Sequence, residues 1–580
     1  MRNAILHFRW LLLFVAAVYL FLNHLYLRYP LVGHDHWYWF HYLLLGKWHF
    51  MRQGILPFRY IPQFCGGNVG YGTPYNMYYS VTQLLSIFTN PWVAYQLTAI
   101  LMLVFGYLGW YLVGTKVMKM SSNWSYLYSL ILTTNGFYLM HVAIGHGNFL
   151  TFPLVSCLLL LLHSRSTDQK LILLLRAVGF GILAGIILYA GGFIVLMISG
   201  LLFCCTIPLD VLLHRSQMFQ RTKHFMILVP LFSLSSLCIC ISKIVSVYSF
   251  MRFFPRHAPL SSINGNVDAL TYIVHALFYI PQKSSILNAP WGPHEKSMLV
   301  SPVVLMGLIC GFVLIFVYSR RLKKRIVHTS FILIYVALFL WLLFQFVKGD
   351  GPVVDVLHTL PVLNSQRVAT RYLFIGVVFF STAGMWSMSR FVDRYLLRFR
   401  DLIIISSALI TLFVFHEGNV AVIKEFDLDI GNINLPDFYE FSHEFNESLE
   451  RGVLEVTKGK STLIGVTGMD CDYGVLDFAG NPQLRSLHPG SVYDVEQNYF
   501  NLMNPACYQY PKENDCNPGD RISVSDKDNL ERFINGMTTT WKVSALQWWS
   551  DRVSLISVIS FIMLCLLSPL LRYVKTHTTF

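Results

Sequence analysis

The chain has 580 residues, of which 54% are hydrophobic and only 13% charged, with a mean hydropathy of +0.51. A soluble chain carries about a quarter charged residues, so this composition excludes a water-coated enzyme. The formal charge of +13, from 44 Lys and Arg against 31 Asp and Glu, sits between apolar segments and therefore reads as membrane topology, with no nucleic-acid partner.

In chain order, the first apolar run is Trp10 to Tyr26. It lies behind Arg2 and Arg9 and is followed by Arg28, Tyr29 and Pro30 in place of a small-residue cleavage site. We read it as an uncleaved first span with a cytoplasmic N-terminus. Further spans are expected near 91–113, 124–140, 148–163, 171–189, 192–212, 225–243, 298–318, 328–347, 371–390, 402–416 and 552–572. This gives about twelve. The basic short loops then all fall on the cytoplasmic face: Lys116 and Lys119; Arg165 and Lys170; Arg215, Arg221 and Lys223; Arg320 to Arg325; and Arg390 to Arg400.

The opposite face receives 28–90, 141–147, 244–297, 348–370 and 417–551. The last of these has ordinary polarity and reads as a small mixed or mainly β domain, with strands expected at 461–467, 474–478, 521–525 and 540–546. Cys507 and Cys516 flank a turn-rich stretch and are disulfide candidates, Cys471 being the other partner considered. No Cys-x-x-Cys pair points to a zinc ribbon or a thioredoxin-like site. The domains are thus 1–416 in the membrane, 417–551 outside it, and 552–580 as a final span with a cytoplasmic tail.

The residues suited to chemistry concentrate in the first outside loop. Gly33-His34-Asp35-His36 opens it, an amphipathic stretch follows, and Leu56-Pro-Phe-Arg59 leads to a Gly-rich turn, Cys65 to Gly72. A lone carboxylate among aromatic rings at a membrane surface is placed to accept a proton from a hydroxyl. The plainer reading is that Asp35 caps the helix behind it. Lys243, Arg252, Arg256, Arg367 and Arg371 lie on the same face and suit a phosphate, or alternatively anchor to lipid headgroups. His34, His36, His141, His146, His294 and Glu295 contain the ligand types for a divalent metal. Their scatter fits interfacial histidines in ordinary hydrogen bonds better, and no cofactor is assigned.

This arrangement resembles the GT-C class of membrane glycosyltransferases. Within it, the chain is most similar to the bacterial YfhO-like and "6-pyruvoyl-tetrahydropterin synthase-related" multi-span membrane proteins. The matching pieces are Gly33-His34-Asp35, Arg52-Gln-Gly-Ile-Leu-Pro-Phe-Arg59, Lys243 with Phe254-Pro255-Arg256, Trp291-Gly-Pro-His294-Glu295, and Leu360 to Arg367 with Arg371. The resemblance implies an α-helical polytopic GT-C-like fold in a bacterial inner membrane and a polyprenyl-phosphate sugar donor entering from the bilayer. It also implies an acceptor glycan, lipid or protein at the extracytoplasmic face. Asp35 would be the base, Lys243, Arg252, Arg256, Arg367 and Arg371 would bind the donor phosphate, and His34, His36, Arg59, His146, His294 and Glu295 would support the substrates. Many GT-C enzymes carry two acids in this loop; this chain has one, between His34 and His36. The competing functions are a lipid or glycolipid transporter or flippase, which predicts ionisable residues within the spans, and a non-catalytic cell-envelope assembly protein.

Overall fold

A computed structural model describes residues 2–64, 66–163, 170–254, 263, 266–278, 295, 297–319, 326–359, 368–425, 433–451, 455–457, 466–468 and 487–577. Cys65, Arg256, His294, Arg367, Cys471 and the basic run 320–325 lie outside the described residues.

The chain is dominated by helices. In order they are α1 (Arg2–Leu25), α2 (Asp35–Gln53), α3 (Val81–Phe88), α4 (Pro91–Leu112), α5 (Ser122–Thr133), α6 (Gly136–Ile144), α7 (Val155–His163), α8 (Lys170–Tyr189), α9 (Phe193–Leu213) and α10 (Met218–Met251). They continue as α11 (Asn266–Phe278), α12 (Pro302–Ser319), α13 (Ile326–Lys348), α14 (Pro352–Thr359), α15 (Phe374–Tyr395), α16 (Arg400–Glu425), α17 (Leu435–Arg451), α18 (Pro505–Gln509), α19 (Lys527–Ile534) and α20 (Ala545–His577).

Eight helical segments among the described residues are long and apolar enough to cross a membrane, as expected of an integral membrane protein. They are His7–Leu25, Pro91–Val117, Ser122–Ile144, Lys170–Tyr189, Phe193–Leu213, Met218–Met251, Ala369–Tyr395 and Leu397–Lys424. A ninth is added if α13 and α14 count as one span bent by 60°. Gly349 and Gly351, both at positive φ, make that bend. The other expected positions, 148–163, 298–318 and 552–572, hold α7, α12 and α20.

The spans pack where small residues let backbones meet. Gly307 of α12 faces Gly384 of α15, where a Cβ would meet the Gly384 carbonyl oxygen at 2.3 Å. The span expected over 124–140 is broken at Thr134-Asn135. The Asn135 side chain accepts from Tyr138 N–H at 3.1 Å and caps α6. Gly136 N–H donates to the Met298 carbonyl at 3.0 Å, so the break seats the chain that leads into α12.

The first loop and the C-terminal region form one outer layer. Strand β1 (Leu31–Val32) pairs with β4 (Ile433–Asn434), and β2 (Tyr60–Ile61) pairs with β3 (Asn68–Val69). The C-terminal region has two three-stranded sheets. One has the order β6-β5-β7 and comprises β5 (Glu455–Thr457), β6 (Val466–Gly468) and β7 (Gly490–Ser491). The other has the order β10-β9-β8 and comprises β8 (Val495–Glu496), β9 (Tyr499–Met503) and β10 (Arg521–Ser523). Its core is Val456, Val492, Phe500, Leu502, Ile522, Leu530 and Phe533. It clamps onto the first loop: Met503 N–H donates to the Gly66 carbonyl at 2.7 Å and Arg52 to the Asn535 carbonyl at 2.7 Å.

Three boundaries differ from the sequence reading. The eleventh expected span runs on to Glu425, because Val420 to Ile423 keep the apolar pattern past His416 and Glu417. Residues 540–544 form no strand, and α20 begins at Ala545, ahead of the expected 552. Lys243 lies within α10 and does not end it; the helix continues to Met251.

Candidate active site

Asp35 is the first residue of α2, and His34 takes the capping position without a side-chain hydrogen bond to the helix. Asp35 thus stands one residue inside the position where the sequence reading expected a cap. It still gains from the partial positive charge of the helix start. Its contacts are imidazoles: His146 Nε2 at 2.7 Å from Oδ2, and His34 Nε2 at 3.4 Å from Oδ1. Asp35 is 36% exposed, so solvent reaches it from one side.

Two glycines bring His146 there. α6 ends at Gly145 in the left-handed conformation (φ 102°), and a Cβ at that position would meet the His36 backbone nitrogen at 2.3 Å. A Cβ on Gly33 would meet the Ile144 Cα at 2.4 Å. The turn after α6 and the start of α2 therefore interlock, backbone against backbone, and only glycine permits this approach.

Behind His146 the contacts run inward. The His146 and His141 Nδ1 atoms lie 2.8 Å apart, and His141 Nε2 is 3.8 Å from Glu295 Oε2. Arg371 meets Glu295 with both arms of its guanidinium, Nε donating to Oε2 at 2.8 Å and Nη2 to Oε1. Arg371 also lies over the Phe149 ring, whose plane stacks on His141 at 4.0 Å. His141 and Glu295 are buried. The cluster joins the ends of α1, α6 and α15 that the charge pattern assigns to the outer face.

His141, His146 and Glu295 are the right residue types for a metal, with ligand atoms within 4.8 Å of one another. As they stand they do not fit one. The His146 nitrogens face Asp35 and His141, and both Glu295 oxygens face the Arg371 guanidinium. Placing a divalent ion there would break contacts already made and set a second cation beside Arg371. We do not identify these residues as metal ligands.

The other predicted site residues fall in different places. His36 is buried against Trp92 and Tyr95 and donates from Nδ1 to the Gly33 carbonyl at 3.0 Å. Burial pushes its pKa down to about 4, which keeps it neutral. Lys243 is fully buried, and its ammonium donates to the Tyr71 and Thr73 carbonyls at 2.8 and 2.7 Å. It holds the Gly-rich turn instead of facing a phosphate. Arg59 pairs with Asp551 of α20. Arg252 is exposed at the end of α10 against the Phe253 ring. The sequence reading placed Glu295 and Arg371 in the site but not their mutual ion pair. It weighed His141 as a possible metal ligand or an ordinary interfacial histidine, and missed Asp551, although a lone acid at the start of an apolar helix calls for a cationic partner. Cys507 and Cys516 are joined by a disulfide.

No family model matches the chain, and neither a curated protein nor a solved structure is significantly similar to it.

Proposed function

We propose that the chain is a GT-C-like glycosyltransferase with about twelve spans, acting on the extracytoplasmic face of a bacterial inner membrane. In this reading a polyprenyl-phosphate sugar enters from the bilayer. Asp35 takes the proton from an acceptor hydroxyl, and the hydroxyl oxygen attacks the anomeric carbon. The sugar–phosphate bond breaks with inversion, and the polyprenyl phosphate leaves. The observation that carries the reading is that Asp35, ten residues beyond the first apolar helix, is partly exposed and is held by an imidazole at 2.7 Å. A base needs that combination of access and orientation.

The leaving phosphate needs a cation. Arg371 and Lys243 are engaged with Glu295 and with backbone carbonyls, so of the described members of the predicted phosphate set the exposed Arg252 is proposed for this role. Arg256 and Arg367 complete the proposed phosphate set. The transporter reading predicts ionisable residues within the spans; Lys243 lies inside α10, where two backbone carbonyls hold its ammonium.

The test uses the full chain in lipid nanodiscs with a panel of polyprenyl-phosphate hexoses labelled in the sugar, following transfer and release of polyprenyl phosphate. Asp35→Asn abolishes turnover of whichever donor the wild type uses. Wild-type rates in that variant sink the assignment of Asp35. Donor movement across the bilayer without cleavage supports the flippase instead.

A further inference from the structure

A second group of charges lies at the other end of the bundle, where α7, α8, α9 and α10 meet on the face that the charge pattern assigns to the cytoplasm. Arg176 stands in α8, about 9 Å from the helix start at Lys170, and is only 7% exposed. Its Nε donates to the Leu161 carbonyl at 3.1 Å, and its Nη2 donates to the Leu161 and Leu162 carbonyls. These oxygens belong to the last turn of α7, which a helix leaves without donors of its own and which carries partial negative charge. Nη1 is buried and has no hydrogen-bond partner. A guanidinium keeps its charge in a protein and has five N–H groups to place; the two on Nη1 are unused.

The acid at this end does not answer Arg176. Asp210 of α9 pairs with Arg221 of α10, and His214 Nδ1 lies 3.2 Å from its carboxylate. The His163 ring meets the Thr206 hydroxyl at 2.9 Å and lies in the field of Asp210, Arg221 and Arg176 together. Among the described residues two guanidiniums thus share one carboxylate, and the two imidazoles can only add positive charge. Neutral carbonyls offset part of the charge on Arg176, and a buried cation in a span is costly until an anion offsets the rest.

The surroundings indicate which anion. Leu174, Leu213, Met218 and Phe219 expose apolar side chains at the same helix ends, which suits an anion that arrives with acyl chains. Lys170 and Lys223 are exposed there as well and disfavour a headgroup that carries an amine. We propose that Arg176 binds the phosphate of an anionic phospholipid without a headgroup amine, in the leaflet at this end of the bundle. The phosphate oxygens accept from Nη1 while Nε and Nη2 stay on the α7 carbonyls, so the lipid completes the junction of α7 and α8. Arginine suits this role because its planar fork serves acceptors on two sides at once. Arg221 and the two lysines add long-range attraction.

The test uses the full chain purified in detergent, with phosphatidylglycerol, phosphatidylcholine or inorganic phosphate added. Native mass spectrometry counts the lipids that stay bound, and a melting curve follows stability. The wild type should keep one phosphatidylglycerol after phosphatidylcholine has exchanged away, and its melting temperature should rise with phosphatidylglycerol but not with inorganic phosphate at the same concentration. Arg176→Gln should bind that lipid about 100-fold more weakly, the loss of a charge-assisted contact. Arg176→Lys keeps the charge and loses the fork, so its binding should weaken by about tenfold.

A wild type that retains the two lipids alike overturns the proposal whatever the variants do, so failure of Arg176→Gln to fold does not shield it. Folded Arg176→Gln that holds phosphatidylglycerol at wild-type affinity overturns it too. So does equal stabilisation by inorganic phosphate, which would make this a site for a free anion. No arm requires sugar transfer, so the outcome is independent of the reading of Asp35.

Discussion

Two polar networks lie in the outer layer of this protein, and they are built from similar parts. In one, Arg371 holds Glu295, which faces His141, His146 and finally Asp35. In the other, Arg59 holds Asp551, whose second oxygen accepts from Ser242 and Gln547 at 2.6 Å each, and Ser242 meets the Tyr71 hydroxyl at 2.8 Å. The second closes on itself. It joins the first loop to α10 and α20 through a guanidinium, a carboxylate, an amide and hydroxyls, with no imidazole among them. The first ends in a carboxylate open to solvent and runs through imidazoles, the side chains that titrate near neutral pH. An arginine–carboxylate pair at the end of a chain of contacts is common to both, buried in the first and half-buried in the second; an exposed end and a titratable middle separate a site from a staple.

The largest expected effect breaks the comparison at its open end. Asp35→Asn should reduce sugar transfer by about 10²–10⁴-fold, the range for loss of a general base, with thermal stability within a degree or two of wild type. Asp551→Asn should do the reverse. It leaves Arg59 with a partner that no longer carries charge, and for a half-buried pair the cost lies between the exposed and buried limits, about 1–3 kcal/mol. The melting temperature in detergent should fall by several degrees while the turnover of the folded fraction persists. If Asp551→Asn abolished turnover without loss of stability, the second network would belong to the site as well.

The distinction was only partly legible in the sequence. Asp35 was readable because it follows the first span at once, between two histidines. Arg371 and Glu295 were readable as outside charges, but they lie 76 positions apart, and no spacing rule forecasts a bidentate pair at that distance. His141 was readable only as the border of a short loop and a possible ligand, because the apolar run ends at Met140. The break at Asn135 carries α6 through it and turns its ring under Phe149. The spans themselves were largely legible, since hydropathy reports what faces lipid. The C-terminal strands were less so, because short strands between turns depend on cross-strand partners. The segment 540–546 alternates like a strand, yet Asn529 and Asn514 bind its backbone instead.

A smaller effect concerns how the outer layer is held. Cys507→Ser opens the disulfide to Cys516, which closes a loop of sequence separation 9. In the chain-entropy model this costs about 2–3 kcal/mol. It should loosen α18, where Gln509 donates to the Ser246 carbonyl at 3.0 Å, and leave the Asp35 cluster in place. Proteolysis of the C-terminal region should quicken while turnover per intact molecule stays the same. Gly145→Ala should show the opposite pattern, because a Cβ there collides with the start of α2. The strain of about 1–3 kcal/mol falls on the turn that presents His146, so turnover should drop further than stability.

The smallest effect is a pH dependence that belongs to neither network. His41 is fully buried in α2, donates from Nδ1 to the Trp37 carbonyl at 2.5 Å and meets the Phe441 ring edge-on at 4.6 Å. Burial lowers its pKa from 6.5 to about 4, so it is neutral in the folded protein. Unfolded, the ring takes up a proton as the pH falls through 6.5, and the folded state does not follow until about 4. Stability from this ring is therefore complete above pH 6.5 and is lost progressively as the pH falls toward 4. Between pH 7.5 and 6 the loss for one such ring is about 1 kcal/mol. His41→Phe removes the titrating group and keeps a ring in the same space, so its melting temperature should fall less than that of the wild type over that interval. The Asp35 cluster offers the control: Asp35→Asn should leave the His41 contribution unchanged, because this ring contacts only the Trp37 carbonyl and its aromatic neighbours. Equal acid sensitivity in wild type and His41→Phe would show that the ring is already protonated or exposed, and that α2 is less tightly sealed against the outer layer than its burial indicates.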